Sequence, residues 1–240
     1  AGGAGMAEAL GGGLFDRQGN RLPAGGGALG ALHHIDITGL DSRLAGVDIQ
    51  VACDVTSPLC GPEGASAVFG PQKGATPEMV ALLDRNLAHY AAMVLQQLAK
   101  DVATLPGAGA AGGLGAGLMA FTPCTLRKGI DIVVEYSGLS DKMAGADFCF
   151  TGEGRIDSQT RFGKTPYGVA RIASQHNVPV IAVAGSIGDD VASLYDTGID
   201  AIFGIIPHAA DIHSLLQEGR QNMERTCENI GRLLKKTAAI

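Results

Sequence analysis

The feature that most restricts the fold is a regular alternation in the C-terminal part of the chain. An extended apolar run over 146–151 is followed by a helical pattern over 167–176. Then come the run Val178-Pro179-Val180-Ile181-Ala182-Val183-Ala184, a helical pattern over 189–196, and Asp200-Ala201-Ile202-Phe203-Gly204-Ile205-Ile206. A last helix is predicted over about 211–236, with Leu215, Met223, Cys227, Ile230 and Leu234 on one face. Strands alternating with helices imply right-handed crossovers and a parallel sheet. This part reads as a Rossmann/flavodoxin-like parallel α/β unit.

The part before it has a different texture. Much of the chain's glycine, 36 residues in all and without collagen periodicity, falls here, and in an ordered chain glycine marks tight turns and close backbone approaches. Val47-Asp48-Ile49-Gln50-Val51-Ala52 alternates as a strand and delivers Cys53-Asp54-Val55-Thr56-Ser57-Pro58 to its carboxyl end, where open α/β sheets place ligands. Thr76-Pro77 opens a helix running to about Leu98, with Met79, Leu83, Leu87, Tyr90, Val94 and Leu98 as its apolar stripe. His33-His34-Ile35-Asp36-Ile37 reads as a half-buried strand with incidental histidines rather than a metal pair. The fold class is therefore α/β with two domains: a Gly-rich mixed α/β domain over 1–145 and the parallel unit over 146–240. The boundary is expected near 140–146. The opening Ala1-Gly2-Gly3-Ala4-Gly5-Met6 reads as a glycine-rich loop already under way, so the first domain is expected to be truncated at its start.

The chemistry concentrates in Thr151-Gly152-Glu153-Gly154-Arg155-Ile156-Asp157, closed by Ser158-Gln159-Thr160 and Gly163-Lys164. Glu153, Asp157, Arg155 and Lys164 lie within 12 positions, among glycines that would let the backbone approach a ligand. Such a collection suits an anion, held in part through a metal ion. A second glycine-rich segment, Leu105 to Gly117, contains Gly107-x-Gly109-x-x-Gly112 and leads into a helix over 114–121, an arrangement suited to a phosphate or carboxylate. The dinucleotide reading of that spacing is weak, because the preceding strand is poor and the first acid about 20 positions on, Asp131, opens an apolar run.

Asp54-Val55-Thr56-Ser57-Pro58-Leu59, the run from Gly64 to Ala75, the Pro106–Gly117 loop and Thr151–Thr160 with Gly163-Lys164 together resemble the bacterial class I glycerate kinases, in order and in spacing. The resemblance runs essentially from residue 1 to residue 240. It implies transfer of the γ-phosphoryl group of ATP to D-glycerate with Mg²⁺, giving 2-phosphoglycerate in sugar-acid and glyoxylate breakdown. Transfer to O3, giving 3-phosphoglycerate, and a non-catalytic sugar-acid-binding fragment are the alternatives. Family members begin with a region carrying an Asp-Ser-Phe/Tyr-Lys-Glu-Ser-like segment, which this chain lacks.

Phosphoryl transfer asks for positioning and charge neutralisation. Glu153 and Asp157 are the candidate Mg²⁺ ligands, as hard oxygen donors. Asp157 or Asp54 would instead accept the hydroxyl proton, and Arg155 would fork onto the substrate carboxylate. Lys73 and Lys164 offer point charges to phosphates. Gly107, Gly109, Gly112, Gly113, Gly152 and Gly154 are the candidate backbone contacts to the nucleotide.

A net charge of −6 argues against a general nucleic-acid binder. No apolar run approaches the ~20 residues of a membrane span, and no signal peptide is read, so no membrane partner is expected. The five cysteines form no zinc spacing and are expected as free thiols in a reducing cytoplasm. A homodimer is compatible with the sequence.

Overall fold

The computed structural model describes residues 1–237. The chain forms two compact units, residues 1–129 and the residues from Ile130 onward. In the first, α1 (Ala4–Ala9), β1 (Gly13–Phe15), β2 (His34–Asp36), β3 (Ile49–Ala52), α2 (Ala65–Phe69), α3 (Pro77–Leu98), α4 (Ala110–Phe121) and β4 (Cys124–Arg127) follow in order. β1 and β2 pair antiparallel with Leu14 opposite Ile35, and β3 pairs in parallel with β4.

The long helix α3 organises this unit. The Thr76 hydroxyl accepts from Met79 N at 3.3 Å and Pro77 sits in the first turn, as the Thr-Pro start predicts. Leu87, Tyr90, Ala91 and Val94 form its buried face, packed with Leu14, Leu29, Leu32, Ile35, Leu59 and Phe121. Met79, expected in that stripe, is exposed because it borders an open cavity instead of packed side chains. Polar side chains on α3 fasten the 26–35 segment. The Asn86 amide donates to the Gly26 and Gly27 carbonyls at 3.0 and 2.8 Å, and His89 donates to Leu32 O at 2.7 Å. Gln97 donates to His33 O and accepts from Ile35 N, each at 2.9 Å. The histidines at 33 and 34 stay exposed beside the buried Ile35, as a half-buried strand requires.

α1 meets α4 backbone to backbone at Gly3 and Gly117. A Cβ on Gly3 would fall 2.7 Å from Gly117 Cα, and one on Gly117 would fall 2.6 Å from Gly3 Cα. Residues 111–113 of α4 have left-handed backbone, so its regular part begins near Leu114, where the sequence places it.

The second unit contains α5 (Gly129–Tyr136), α6 (Leu139–Met143), β5 (Cys149–Ile156), α7 (Thr165–Gln175), β6 (Val180–Ile187), α8 (Ala192–Tyr195), β7 (Ala201–Gly204), α9 (Ile212–Gln217) and α10 (Gly219–Thr237). Ile130, Val134 and Leu139, which precede the 140–146 boundary expected from sequence, and Met143 within it, join this unit's core. The sheet is parallel with order β5-β6-β7. Alternation along β6 sends its side chains to two layers. Val180, Ala182 and Ala184 pack with Ile172, Ala173 and Leu194, whereas Ile181 and Val183 pack with Ile230 of α10.

The final helix expected over 211–236 is two helices with a break at Glu218. Its inward line runs through Asn222 and Ile230, with Leu234 packed beside them, while Met223 and Cys227 face solvent. Among the described residues no helix is long and apolar enough to cross a membrane, and all five cysteines are free.

Candidate active site

The charged motif is not the loop at a strand end that its glycines suggest. β5 continues to Ile156, so Gly152, Glu153, Gly154 and Arg155 are themselves strand residues, registered through Gly152–Val183, Glu153–Ala184 and Arg155–Ser186. Pairing with β6 overrides the low strand propensity of the Gly-Glu-Gly-Arg run. Gly152 is explained by that pairing, since a Cβ there would lie 2.3 Å from Val183 O. Gly154 has open space where its side chain would be.

Directly after β5 the chain turns through a 3-10 segment, Ser158–Phe162, closed by a reciprocal cap. Asp157 Oδ1 accepts from Gln159 N at 3.0 Å, and Asp157 N donates to Thr160 Oγ1 at 3.3 Å. The turn ends at Lys164, the residue before α7, so the lysine stands at the positive end of an 11-residue helix.

Four charged side chains converge on this turn. Lys164 Nζ lies 3.6 Å from Glu153 Oε2 and 3.6 Å from Asp157 Oδ1, and Arg155 Nε lies 3.4 Å from Asp157 Oδ2. Two carboxylates thus face two cations. All three contacts are ion pairs longer than a good hydrogen bond, and the Arg155 side chain is 69% exposed. Pairs of that kind contribute about 0–1 kcal/mol and can be exchanged for a ligand with little loss. One contact differs in kind: Thr160, fully buried, donates its hydroxyl to Glu153 Oε1 at 2.5 Å.

The donor set fits Mg²⁺. That ion is commonly held by one or two carboxylates, with water and substrate phosphates completing the shell. Among the described residues no group of three or more His, Cys, Asp and Glu gathers into a dedicated metal cage. Glu153 and Asp157, joined through one lysine, supply two hard oxygen donors.

In the first unit, Lys73 and Gly112 line the same open cavity of about 320 Å³, with Ser66, Phe69, Met79 and Leu83 among its walls. Two motifs far apart in sequence are brought together there. The other glycines of the 107–113 loop have packing reasons. A Cβ on Gly107 would lie 2.9 Å from Cys53 Sγ, one on Gly109 2.3 Å from Pro58 O, and one on Gly113 2.8 Å from Leu59 Cδ1. Gly112 alone of the four has open space on that side. Residues 99–106 form no strand, so the setting of a dinucleotide fingerprint is missing. Asp54 is engaged structurally: its Oδ1 accepts from Gly129 N at 2.9 Å, the first residue of α5.

Sequence reasoning placed Thr160 in the motif but gave it no role. The signal was available, as an acid followed three residues later by a hydroxyl side chain that can close a turn around it.

The chain is of the mixed α/β class with parallel sheets, and it belongs to the Glycerate kinase family, whose profile matches residues 1–235. A glycerate kinase of Bacillus subtilis is 50% identical over 234 residues, covering 98% of this chain and 61% of the relative. A glycerate 2-kinase of Escherichia coli is 48% identical over 233 residues, covering 97% and 61%. Among solved structures, the crystal structure of a protein provisionally named glycerate kinase 2, from Salmonella typhimurium LT2, matches with a TM-score of 0.85 and 49% identity. That match covers all of this chain and 62% of the other. The chain therefore spans about three fifths of the length of these relatives.

Proposed function

We propose that this chain carries out, as part of a glycerate kinase, ATP- and Mg²⁺-dependent phosphoryl transfer to D-glycerate, yielding 2-phosphoglycerate in cytoplasmic sugar-acid breakdown. The observation that carries the reading is the convergence of Glu153, Asp157, Arg155 and Lys164 around the turn after β5, in a chain of this family.

The chemistry asks little covalent work of the protein, because a loose phosphoryl transition state is stabilised mainly by position and charge. Glu153 and Asp157 would hold Mg²⁺, which when bound neutralises charge on the phosphate oxygens. Lys164 exchanges its resting carboxylate contacts for phosphate oxygens, aided by the positive end of α7. Arg155, exposed and paired at 3.4 Å with Asp157 Oδ2, can turn its planar fork onto the substrate carboxylate. Both Asp157 oxygens are engaged by cations, which suits electrostatic duty. Of the two acids read as acceptors of the hydroxyl proton, Asp157 and Asp54, Asp54 keeps Oδ2 beyond its bond to Gly129. Lys73 and Gly112 supply an ammonium and an open backbone edge for the nucleotide. Gly107, Gly109, Gly113 and Gly152 support these contacts by letting their segments approach closely, and Gly154 leaves the strand face beside Glu153 open.

The test is to mix the protein, in its full natural length, with ATP, Mg²⁺ and D-glycerate and follow ADP release, identifying the product by phosphorus NMR. ADP formation with 2-phosphoglycerate is expected, and Glu153→Gln and Asp157→Asn should each lower kcat by about 10²-fold or more. Formation of 3-phosphoglycerate moves the acceptor to O3. Tight glycerate binding without ADP would replace the kinase reading by a binding one.

A further inference from the structure

Thr160 is the one uncharged polar side chain driven fully into the interior at the candidate site, and it is 0% exposed. Its hydroxyl is used twice. As an acceptor it takes Asp157 N at 3.3 Å, and as a donor it gives its hydrogen to Glu153 Oε1 at 2.5 Å. Glu153 is only 17% exposed, and its second oxygen faces Lys164 Nζ at 3.6 Å. One residue therefore touches both acids, one through its backbone and the other through its side chain.

We infer that Thr160 is the positioning residue that fixes the Glu153 carboxylate for metal binding, the hydroxyl holding Oε1 so that Oε2 is presented beside Asp157. The inference rests on the kinase reading of this site. A free glutamate has three side-chain torsions to order when it binds a cation, and that ordering opposes binding. A carboxylate already hydrogen-bonded to a buried hydroxyl meets that requirement before the ion arrives. The ion pairs to Lys164 cannot serve the same purpose. They are longer, the ammonium is partly exposed, and the lysine is the group expected to leave for phosphate. The Thr160 hydroxyl is neutral, buried and without a competing ligand, so it can stay in place through the cycle. Its methyl group is buried with it, the whole residue being 0% exposed.

Thr160→Val removes the hydroxyl and keeps the shape, Thr160→Ala removes both hydroxyl and methyl, and Thr160→Ser keeps the hydroxyl. For each, the Mg²⁺ dependence of ADP release is measured together with Mn²⁺ binding by calorimetry in the absence of substrates. The Val and Ala variants are expected to bind Mn²⁺ about 10-fold more weakly and to need about 10-fold more Mg²⁺ for half-maximal rate, with the glycerate KM little changed and the melting temperature lowered, because Asp157 N and Glu153 Oε1 lose their partner. The Ser variant is expected within about three-fold of the parent on both measures, since it restores the donor. Wild-type metal dependence in the Val and Ala variants overturns the assignment. So does equal loss in all three, which would point to the methyl packing. Failure of Val and Ala to fold beside a wild-type-like Ser variant overturns it too, because the hydroxyl would then serve the turn alone. Glu153→Gln separates the two levels. If that variant keeps parental rate and Mn²⁺ affinity, the site itself is misread and not merely the role of Thr160.

Discussion

Replacing Tyr90 by Phe should make the protein more stable. Tyr90 is fully buried on the inner face of α3, and its hydroxyl has no hydrogen-bond partner in the protein among the described residues. Leaving a buried donor unpaired costs about 1–3 kcal/mol, whereas deleting one oxygen leaves too small a void to offset that. A gain of about 1 kcal/mol is expected, or about 2–4 °C in melting temperature for a chain of this size. The same burial gives a second signature. It pushes the phenol well above its ordinary value of 10.0. The unfolded chain then releases this proton near pH 10 while the folded one keeps it. The contribution is fully present below about pH 10 and is lost as pH rises, at about 1.4 kcal/mol per pH unit, until the folded phenol also ionises. Urea unfolding followed by circular dichroism, at neutral pH and about one unit above the ordinary phenol pKa, measures both effects. The Phe variant should be more stable at neutral pH, with a lead that widens by about 1 kcal/mol in alkali. A loss of about 1 kcal/mol or more at neutral pH, or a gap that does not widen, would refute the reasoning, because the hydroxyl would then be satisfied in solution.

Gly109→Ala places a Cβ 2.3 Å from Pro58 O, so the 107–113 loop must shift; a loss of about 1–3 kcal/mol in thermal unfolding is expected, and an unchanged melting temperature would show that the loop is slack. Burial, with the Asp84 carboxylate second, pushes the Cys60 thiol up to about 11. In mildly alkaline iodoacetamide it should alkylate at least about 10-fold more slowly than the exposed Cys227, and equal rates by peptide mass spectrometry would contradict that burial. Arg155→Ala should lower turnover by about 10²-fold or more while leaving the melting temperature unchanged, since the side chain is largely exposed; parental kinetics would remove Arg155 from the site.

What could be read from sequence follows from where local and tertiary preferences agree. The α7, β6 and β7 segments carry uninterrupted helical or apolar patterns, and each appears within three residues of its expected bounds. The Thr76-Pro77 start is equally local. β5 was legible only as far as Thr151, because Gly152 to Arg155 have no strand preference of their own and become strand by pairing with β6. The break at Glu218 was hidden by good helix formers on both sides. At the candidate site the four charged side chains were found because they crowd one stretch of sequence, and the structure gathers them. The cavity shared by Lys73 and Gly112 could not be read, since they lie 39 positions apart and the packing of α2 against α4 brings their segments together. Nor could the packing reasons for Gly107, Gly109 and Gly113 be told from ligand-facing ones, because glycine looks the same in either role.

The crossing of α1 and α4 at Gly3 and Gly117 bears on how such a chain can change over generations. Each residue's missing side chain makes room for the other's Cα, at 2.7 and 2.6 Å. An ordinary tight core contact offers escape routes, in which a larger residue on one side is tolerated once the other side shrinks. Here neither partner has anything left to give up. A first replacement meets backbone, and a second only adds another obstruction. Mutational drift has no downhill path through this pair, so variation near it should appear as changed helix spacing rather than as a changed residue.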